Sequence, residues 1–371
     1  MPRADSSGVS DSHKSNFALL LDYRRIAIAI GDGASLFAAK TAINLLRYRT
    51  DDIVAVIDEA HAGRTAGEVY GAGGRVPVFS SLAEVDHPDA VFIGIAPSGG
   101  HITGSLRLIV DDAVATGIDV VSGLHDFLIE IPWLREKAEQ TGSLLIDIRR
   151  NRIKRVSQAE QFRAGCLRIH TVGHDCSVGK MVVALEVSRA LERLGHDAKF
   201  LATGQTGIML AGEGVPVDCV ISDFVNGAVE ELVSRNQQHD ILLIEGQGAI
   251  THPSFSGVTL GLLHGCAPHG LILCYEVGRS HLNGFPHVVP PSLERLRKLY
   301  EEMASERFPC EVIGIAMNSR SLTPEQAATE KVHVSSHLRL PVCDVYRDGP
   351  ECLVEAVLKF KSLTSKLLRI E

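Results

Sequence analysis

The chain has 371 residues, of which 45% are hydrophobic and 22% charged, and its formal net charge is -8 at pH 7. This length exceeds one core of ordinary size, so we expect two globular domains. The acidic balance argues against a nucleic-acid surface. The sequence also lacks an uninterrupted apolar run of about 18 residues, which argues against a membrane span. We therefore expect a cytoplasmic homo-oligomer that acts on small molecules and binds neither nucleic acid nor membrane.

Residues 1–23 begin with a polar, Ser-rich stretch that lacks the apolar segment of a signal peptide, and we predict a disordered tail there. The eight cysteines form no Cys-x-x-Cys pair and lie mostly in apolar, strand-like runs. They are Cys166, Cys176, Cys219, Cys266, Cys274, Cys310, Cys343 and Cys352. This pattern predicts reduced thiols in the core, and we predict no metal site.

The first half of the chain, residues 24–155, has the pattern of a Rossmann-like domain. An apolar strand leads into Gly31-Asp32-Gly33 and then a helix. A second strand ends at Asp58, where a dinucleotide fold has its ribose-binding carboxylate. Leu36 replaces the third glycine of the Gly-x-Gly-x-x-Gly motif, so a plain α/β scaffold is favoured over NAD binding.

A strand, a glycine-flanked loop and a helix follow one another from residue 169, and the helix ends before Gly195. The loop residues are Gly173, His174, Asp175, Cys176, Ser177, Val178, Gly179 and Lys180. This order is that of a P-loop, in which backbone N–H groups and a helix N-terminus bind a phosphate and the lysine adds a positive charge. We predict that these eight residues bind a cofactor phosphate.

Two departures from the usual P-loop sequence limit the reactions that the loop can support. Gly173 lies one position earlier than the usual first glycine, a spacing that resembles the loop of dethiobiotin synthetase. Met181 occupies the position of the Ser or Thr hydroxyl that holds Mg²⁺. The loop therefore favours phosphate or pyrophosphate binding over phosphoryl transfer.

A second motif follows the apolar strand at residues 240–244, which delivers Glu245 into the turn Gly246-Gln247-Gly248. It resembles the Glu-Gly-Ala-Gly-Gly turn of dethiobiotin synthetase, whose glutamate lies beside the phosphates, and this resemblance places Glu245 near the P-loop. Glu245 can act as a general base if partial burial raises its pKa. Asp223, in the first turn of a helix predicted to begin at Ser222, is a second catalytic candidate, although the helix dipole alone also favours an acidic residue there.

The order of the motifs resembles one bacterial and archaeal family that pairs a Rossmann-like domain with a P-loop domain and includes D-glutamate N-acetyltransferases. The motifs are G-H-D-C-S-V-G-K-M, S-D-F-V-x-G-A-x-E and E-G-Q-G-x-x-x-H-P, and the resemblance covers residues 24–371. Members typically carry a threonine where this chain has His174, and hydroxyl residues where it has Val182 and Val183. The resemblance implies an α/β protein with two doubly wound parallel sheets, the second a P-loop NTPase-like domain at residues 156–371.

The same resemblance implies acetyl-CoA as donor, with the P-loop binding a CoA phosphate, and a D-amino acid such as D-glutamate as acceptor. A dicarboxylic acceptor needs cationic partners, and Arg279 and Arg320, which follow strands, are the candidates. Gln247 and His252 are further candidate substrate-binding residues. Cys176 is an alternative, acyl-accepting nucleophile, because thiolates are stabilised at helix N-termini.

Two other function classes stay open from the sequence. One is an ATP-dependent ligase or kinase of the dethiobiotin synthetase type, with Mg-ATP as cofactor, and Met181 disfavours it. The other is a non-catalytic, nucleotide-responsive regulator, which Glu245 and its glycine-rich turn disfavour.

Overall fold

The computed structural model describes residues 17–31, 35, 38–95, 98–102 and 104–364. The chain divides into two compact units. Unit 1 comprises Met1–Ile148 and Ile208–Glu213, and unit 2 comprises Arg149–Gly207 and Gly214–Glu371. The boundary predicted at residue 155 lies in a segment, residues 149–166, that contains no helix or strand.

Residues 1–16 of the predicted tail lie outside the described residues. The remainder is ordered, since Ala18–Leu21 form a 3-10 helix with Leu20 fully buried. The Arg49 guanidinium donates hydrogen bonds to the carbonyl oxygens of Leu20 (2.7 Å) and Tyr23 (2.9 Å). The predicted tail therefore does not extend to residue 23, because Leu20 and Tyr23 are buried in unit 1.

Unit 1 is an all-parallel, six-stranded sheet with the strand order β3-β2-β1-β4-β5-β6, the order of a Rossmann fold. Its strands are β1 (Ile26–Ala29), β2 (Ile53–Ile57), β3 (Val78–Phe79), β4 (Ala90–Ile93), β5 (Asp119–Ser122) and β6 (Leu145–Asp147). Its helices are α1 (Lys40–Tyr48), α2 (Ala66–Tyr70), α3 (Gly104–Ala115) and α4 (Pro132–Thr141). Strands β1 and β4 are buried at every position, which explains why they read as continuous apolar runs.

The carboxylate of Asp58, at the end of β2, is buried and engaged within unit 1. It accepts hydrogen bonds from the backbone N–H of Ala60 (3.2 Å) and the hydroxyl of Tyr70, and it lies 2.8 Å from Nδ1 of His61. A ribose would have to displace these partners, so the structure favours a structural role for Asp58. The loop after β1 lies largely outside the described residues.

Unit 2 contains a second all-parallel, six-stranded sheet, with the order β12-β11-β10-β7-β9-β8. Its strands are β7 (Leu167–Gly173), β8 (Ala198–Leu201), β9 (Ile241–Ile244), β10 (Gly270–Glu276), β11 (Glu311–Asn318) and β12 (Val342–Cys343). The helices after β7 are α5 (Lys180–Arg193), α6 (Gln205–Ala211), α7 (Val225–Asn236), α8 (Ser256–Cys266), α9 (Leu293–Ala304), α10 (Pro324–Leu338) and α11 (Glu351–Thr364). The chain is therefore an α/β protein with two doubly wound parallel sheets, as predicted.

Strand β7 pairs with β9 on one side and with β10 on the other. The chain thus leaves β7 toward one half of the sheet and later returns to build the other half. Ligands of open α/β sheets bind at such a switch point, beyond the carboxyl ends of the strands. The P-loop and the turn after β9 both lie there.

No helix in the described ranges is long and apolar enough to cross a membrane.

Candidate functional site

The P-loop connects β7, which is buried along its whole length, to α5, which begins at Lys180. Gly173 is required at the start, because a Cβ atom there would lie 2.9 Å from the carbonyl oxygen of Cys274. Gly179 has φ +108°, a backbone conformation that L side chains rarely adopt. The two glycines therefore let the chain turn tightly enough for the N-terminus of a 14-residue helix to meet the loop. Such a terminus favours anions through its N–H groups and dipole.

Lys180 is almost completely buried and holds the loop closed. Its Nζ donates a hydrogen bond to the backbone oxygen of Asp175 at 2.7 Å. Burial lowers the pKa of the ammonium, against the opposing effect of nearby Cys176 and Glu245. The lysine is thus near the carboxylate of the second motif, as the resemblance of that motif implies.

Asp175 is fully buried and anchors the P-loop to the segment after β10. One carboxylate oxygen accepts hydrogen bonds from Nη1 of Arg279 (2.6 Å) and the backbone N–H of Asn283 (2.8 Å). The other accepts from the backbone N–H of Cys176 at 2.6 Å. Because three donors converge on it, the Asp175 side chain serves the loop's architecture in this structure.

His174 is also buried and ties the loop to β10. Its Nε2 accepts a hydrogen bond from the backbone N–H of Glu276 at 3.1 Å, and its ring lies edge-on to Tyr275. Burial lowers the pKa of His174 to about 4, so the imidazole is neutral and its remaining proton is on Nδ1. His174 thus contributes a neutral acceptor.

Both predicted substrate-binding arginines pair with Glu276 at the end of β10. Arg320 donates from Nε to Glu276 at 3.0 Å, and Arg279 donates to the same carboxylate from Nη2. The Arg279 side chain is 10% exposed and also holds Asp175, whereas the Arg320 side chain is 57% exposed. The structure therefore brings the two together, with Arg279 facing protein and Arg320 facing solvent.

Glu245 ends β9 and is buried at the predicted place, beside Lys180. Its Oε2 accepts hydrogen bonds from the backbone N–H groups of Thr203 (2.9 Å) and Gly204 (3.2 Å), and its Oε1 accepts from Nε2 of Gln247 (3.0 Å). Burial raises the pKa of Glu245 to about 7, although the two backbone N–H groups favour the ionised form. A carboxylate in this environment can exchange a proton near neutral pH.

Gln247 and Glu245 fit closely against the loop after β8. A Cβ atom at Gly204 would lie 2.4 Å from Nε2 of Gln247, and one at Gly207 would lie 2.4 Å from Oε2 of Glu245. These glycines let a second backbone segment approach the carboxylate. By contrast, Asp223 lies in an exposed 3-10 helix, Ser222–Phe224, and the predicted helix begins three residues later, at Val225.

His252 belongs to the one group in the described part of the chain that could hold a metal ion. Its ligand atoms and those of Asp175 and Cys176 lie within 4.8 Å of one another. However, Nδ1 of His252 accepts a hydrogen bond from the backbone N–H of Ser254 (3.1 Å), so the ring proton is on Nε2, which lies 3.6 Å from Asp175. That tautomer has no lone pair at Nε2 for a cation. The observed hydrogen bonds thus favour a positioning role for His252 over a role as a metal ligand.

Two residues that the sequence analysis missed connect the P-loop to the turn after β9. The Tyr300 hydroxyl donates to the carbonyl oxygen of Gly173 (2.7 Å) and accepts from the backbone N–H of Ile250 (2.9 Å). Oγ1 of Thr171 donates to the carbonyl oxygen of Lys180 (3.1 Å) and accepts from the backbone N–H of Gly246 (3.0 Å).

The backbone at Gly246 is packed against β7. A Cβ atom there would lie 1.7 Å from the carbonyl oxygen of Thr171, so only glycine fits. Gly246 was therefore the signal in the sequence that the end of β9 closely approaches the end of another strand.

Two family models match the chain. Residues 59–151 match the "Domain of unknown function (DUF1611_N) Rossmann-like domain", and residues 155–354 match the "Domain of unknown function (DUF1611_C) P-loop domain". The chain is also similar to two curated proteins named D-glutamate N-acetyltransferase. The protein from Tritonibacter scottomollicae is 37% identical over 329 residues, 88% of this chain and 96% of its own. The protein from Pseudoalteromonas sp is 38% identical over 263 residues, 71% of this chain and 79% of its own.

Among solved structures, the chain resembles the crystal structure of a DUF1611 family protein from Anabaena variabilis. The TM-score is 0.84 at 38% sequence identity, covering 91% of this chain and 99% of that one. Agreement over both domains confirms the resemblance that the motif order indicated. The protein therefore belongs to the DUF1611 family, which joins a Rossmann-like domain to a P-loop domain.

Proposed function

We propose that this protein is an N-acetyltransferase that moves the acetyl group of acetyl-CoA to the amino group of D-glutamate. Two relatives that align with most of the chain carry the name D-glutamate N-acetyltransferase. The observation that carries the proposal in the site itself is a buried carboxylate, Glu245, with its pKa raised to about 7, beside a P-loop lysine followed by Met181.

The P-loop suits CoA better than a nucleoside triphosphate in phosphoryl transfer. A bound CoA phosphate needs the loop's N–H groups, the α5 N-terminus and Lys180. It does not need a hydroxyl to hold Mg²⁺, because no γ-phosphate is transferred. Met181 in place of that hydroxyl is therefore compatible with acyl transfer, whereas phosphoryl transfer would lose a metal ligand.

Glu245 supplies the proton acceptor that the reaction requires. The ammonium of D-glutamate must lose a proton before its nitrogen attacks the thioester carbonyl carbon. The carbon–sulfur bond then breaks, the nitrogen gives its second proton to the departing CoA thiolate, and free CoA and N-acetyl-D-glutamate remain. A carboxylate with a pKa near 7 is ionised in a large fraction of molecules at neutral pH and still basic enough to take that proton.

These assignments together place a requirement on the conformation of the donor. The thioester of CoA lies at the far end of the pantetheine arm from the phosphates, while Glu245 lies close to the loop lysine. The arm must therefore fold back toward the loop. This requirement is testable, because acetyl-pantetheine has the thioester but lacks the phosphates.

Arg320 is the better placed of the two arginines to bind a carboxylate of the acceptor. Its guanidinium is half exposed and only one protein carboxylate, Glu276, pairs with it in the described contacts. Arg279 already serves both Asp175 and Glu276. We propose that Arg320 contacts the substrate and that Arg279 shapes the loop around it.

The test is an assay of the purified protein with acetyl-CoA and D-glutamate, following CoA thiol release and the mass of the acetylated product. We expect turnover that is insensitive to EDTA, with L-glutamate as the stereochemical control and acetyl-pantetheine as the truncated donor. Mg-dependent ATP turnover without acetyl transfer would instead identify a ligase or kinase of the dethiobiotin synthetase type. Nucleotide binding without any turnover would identify a regulator.

A further inference from the structure

Two thiols of unit 2 meet at the edge of its sheet. Cys343 ends β12, the edge strand, and is fully buried, while Cys352 is the second residue of α11 and partly exposed. Sγ of Cys352 lies 3.8 Å from the carbonyl oxygen of Val342, the residue before Cys343. The fold therefore places the Cys352 thiol against the backbone of β12 next to Cys343, although eight residues separate the two cysteines in the chain.

The two thiols differ in pKa. The hydrogen bond from Cys343 lowers the pKa of Cys352 to about 7, and nearby Lys331 acts in the same direction. The N-terminal end of a 14-residue helix also favours a thiolate there. The same hydrogen bond, together with burial, raises the pKa of Cys343. Two thiols coupled in this way lose the first proton easily and the second only with difficulty.

The other cysteines with a shifted pKa have a raised pKa, in contrast to Cys352. Burial raises the pKa of Cys166 and Cys219 to about 11 and that of Cys266 and Cys274 to about 12. Cys219 is the informative comparison, because it is partly exposed like Cys352 but burial raises its pKa. Exposure alone therefore does not distinguish Cys352.

We propose that Cys343 and Cys352 are a modification site, a dithiol that low-molecular-weight disulfides such as oxidised glutathione convert to a reversible intramolecular disulfide. This inference does not depend on the proposed acetyl transfer, since neither cysteine belongs to the P-loop site.

The reaction proceeds by two thiol–disulfide exchanges. The Cys352 thiolate attacks one sulfur of oxidised glutathione, whose S–S bond breaks, and one glutathione thiolate leaves. Cys343 no longer faces a thiolate after this step, so it loses its proton to solvent more easily. Its sulfur then attacks the Cys352 sulfur, and the second glutathione thiolate leaves. In total, two protein thiols are oxidised to one disulfide, and one glutathione disulfide is reduced to two thiols.

The bond would fasten the weakest edge of the sheet. Strand β12 pairs with β11 through only two residues, Val342 and Cys343. Helix α11 packs against β11 and against α5, the helix that carries the P-loop lysine. The cross-link would therefore tie the edge strand to a helix that supports the site, and we expect it to raise the melting temperature.

The experiment incubates the full-length protein with oxidised glutathione, blocks free thiols with N-ethylmaleimide and maps the digest by mass spectrometry. We expect a peptide cross-linked through Cys343 and Cys352, an intact mass lower by about 2 Da because two hydrogens are lost, and full reversal by dithiothreitol. The matched control, Cys219→Ala, should form the same cross-link.

Single variants separate the two roles. Cys343→Ala should stop at a glutathione adduct on Cys352, because no second thiol displaces it, whereas Cys352→Ala should leave Cys343 unmodified. Melting curves of both variants under reducing conditions check that they are folded. A wild-type protein that carries only the adduct on Cys352, or that reacts at Cys219 as readily, would overturn the proposal.

Discussion

The hydroxyl of Tyr300 donates a hydrogen bond to the carbonyl oxygen of Gly173 across 127 positions of sequence, at 2.7 Å. It also accepts from the backbone N–H of Ile250, so one buried oxygen fixes both the first residue of the P-loop and the segment that follows Glu245. The two motifs therefore hold their relative position through a side chain that belongs to neither.

Tyr300→Phe should weaken acetyl-CoA binding and lower the free energy of unfolding by roughly 1–3 kcal/mol, because two buried backbone groups lose their partner. Calorimetric titration and denaturant unfolding measure the two effects. Tyr275→Phe is the matched control, since that buried hydroxyl donates to Glu330 at 3.0 Å. Equal losses of CoA affinity in both variants would show that Tyr300 has no special connection to the loop.

Lys180→Met should weaken acetyl-CoA binding by roughly 10–100-fold, because it removes the positive charge of the loop while keeping an unbranched side chain in the buried site. Met181→Thr should leave affinity nearly unchanged, since it restores a metal ligand that acyl transfer does not use. Dissociation constants measured with and without EDTA give the comparison. Acetyl-pantetheine should bind both variants like the wild type, because it has no phosphate.

Glu245→Gln should reduce turnover by roughly 10²–10⁴-fold with little change in acetyl-CoA affinity, as expected for loss of a positioned base. The wild-type rate should rise with pH through a value near 7, because the carboxylate must be ionised to accept the proton. Asp223→Asn serves as the control carboxylate. If the Asp223 variant lost turnover and the Glu245 variant kept it, the roles would be exchanged.

The same raised pKa predicts how stability depends on pH. Glu245 titrates near 4.5 when unfolded and near 7 when folded, so the folded protein holds the proton more tightly. Its contribution to stability is fully present below about pH 4.5 and is lost as the pH rises through about 7. The free energy of unfolding of the wild type should therefore fall relative to that of Glu245→Gln over this range, as measured in denaturant series at several pH values.

Alanine substitutions at the two arginines should have different effects, one on acceptor binding and the other on stability. Arg320→Ala should raise the Michaelis constant for D-glutamate and leave stability nearly unchanged, because its side chain is 57% exposed and Glu276 keeps Arg279 as a partner. Arg279→Ala should destabilise the protein by roughly 3 kcal/mol, because it removes a cation from the fully buried Asp175. An unaltered Michaelis constant in the Arg320 variant would exclude it from acceptor recognition.

The sequence was sufficient for the features that short segments encode. Buried parallel strands appear in the sequence as apolar runs. The P-loop from residue 169 and the turn at Glu245 could likewise be located from their own residues. The resemblance of the second motif to the turn of dethiobiotin synthetase then placed Glu245 near the P-loop, and both motifs follow strands of one sheet.

The sequence was insufficient where strand order decides which residues meet. In the sequence, Tyr300 looks like an ordinary buried residue of an amphipathic helix. Its contact with Gly173 depends on the pairing of β10 with β7, which the sequence does not show. Likewise, Arg279 reaches Asp175 across 104 positions, so a residue assigned to substrate from its place after a strand also anchors the loop. The partners of the Asp58 carboxylate, Tyr70 and His61, could not be read from the strand pattern for a similar reason.

The close approach of Gly246 to Thr171 limits how the site can move. A backbone that leaves no room for even one carbon atom cannot slide, so the ends of β7 and β9 must travel as one piece during any opening or closing. The backbone that carries Lys180 and the backbone that carries Glu245 are therefore held in a fixed relative position.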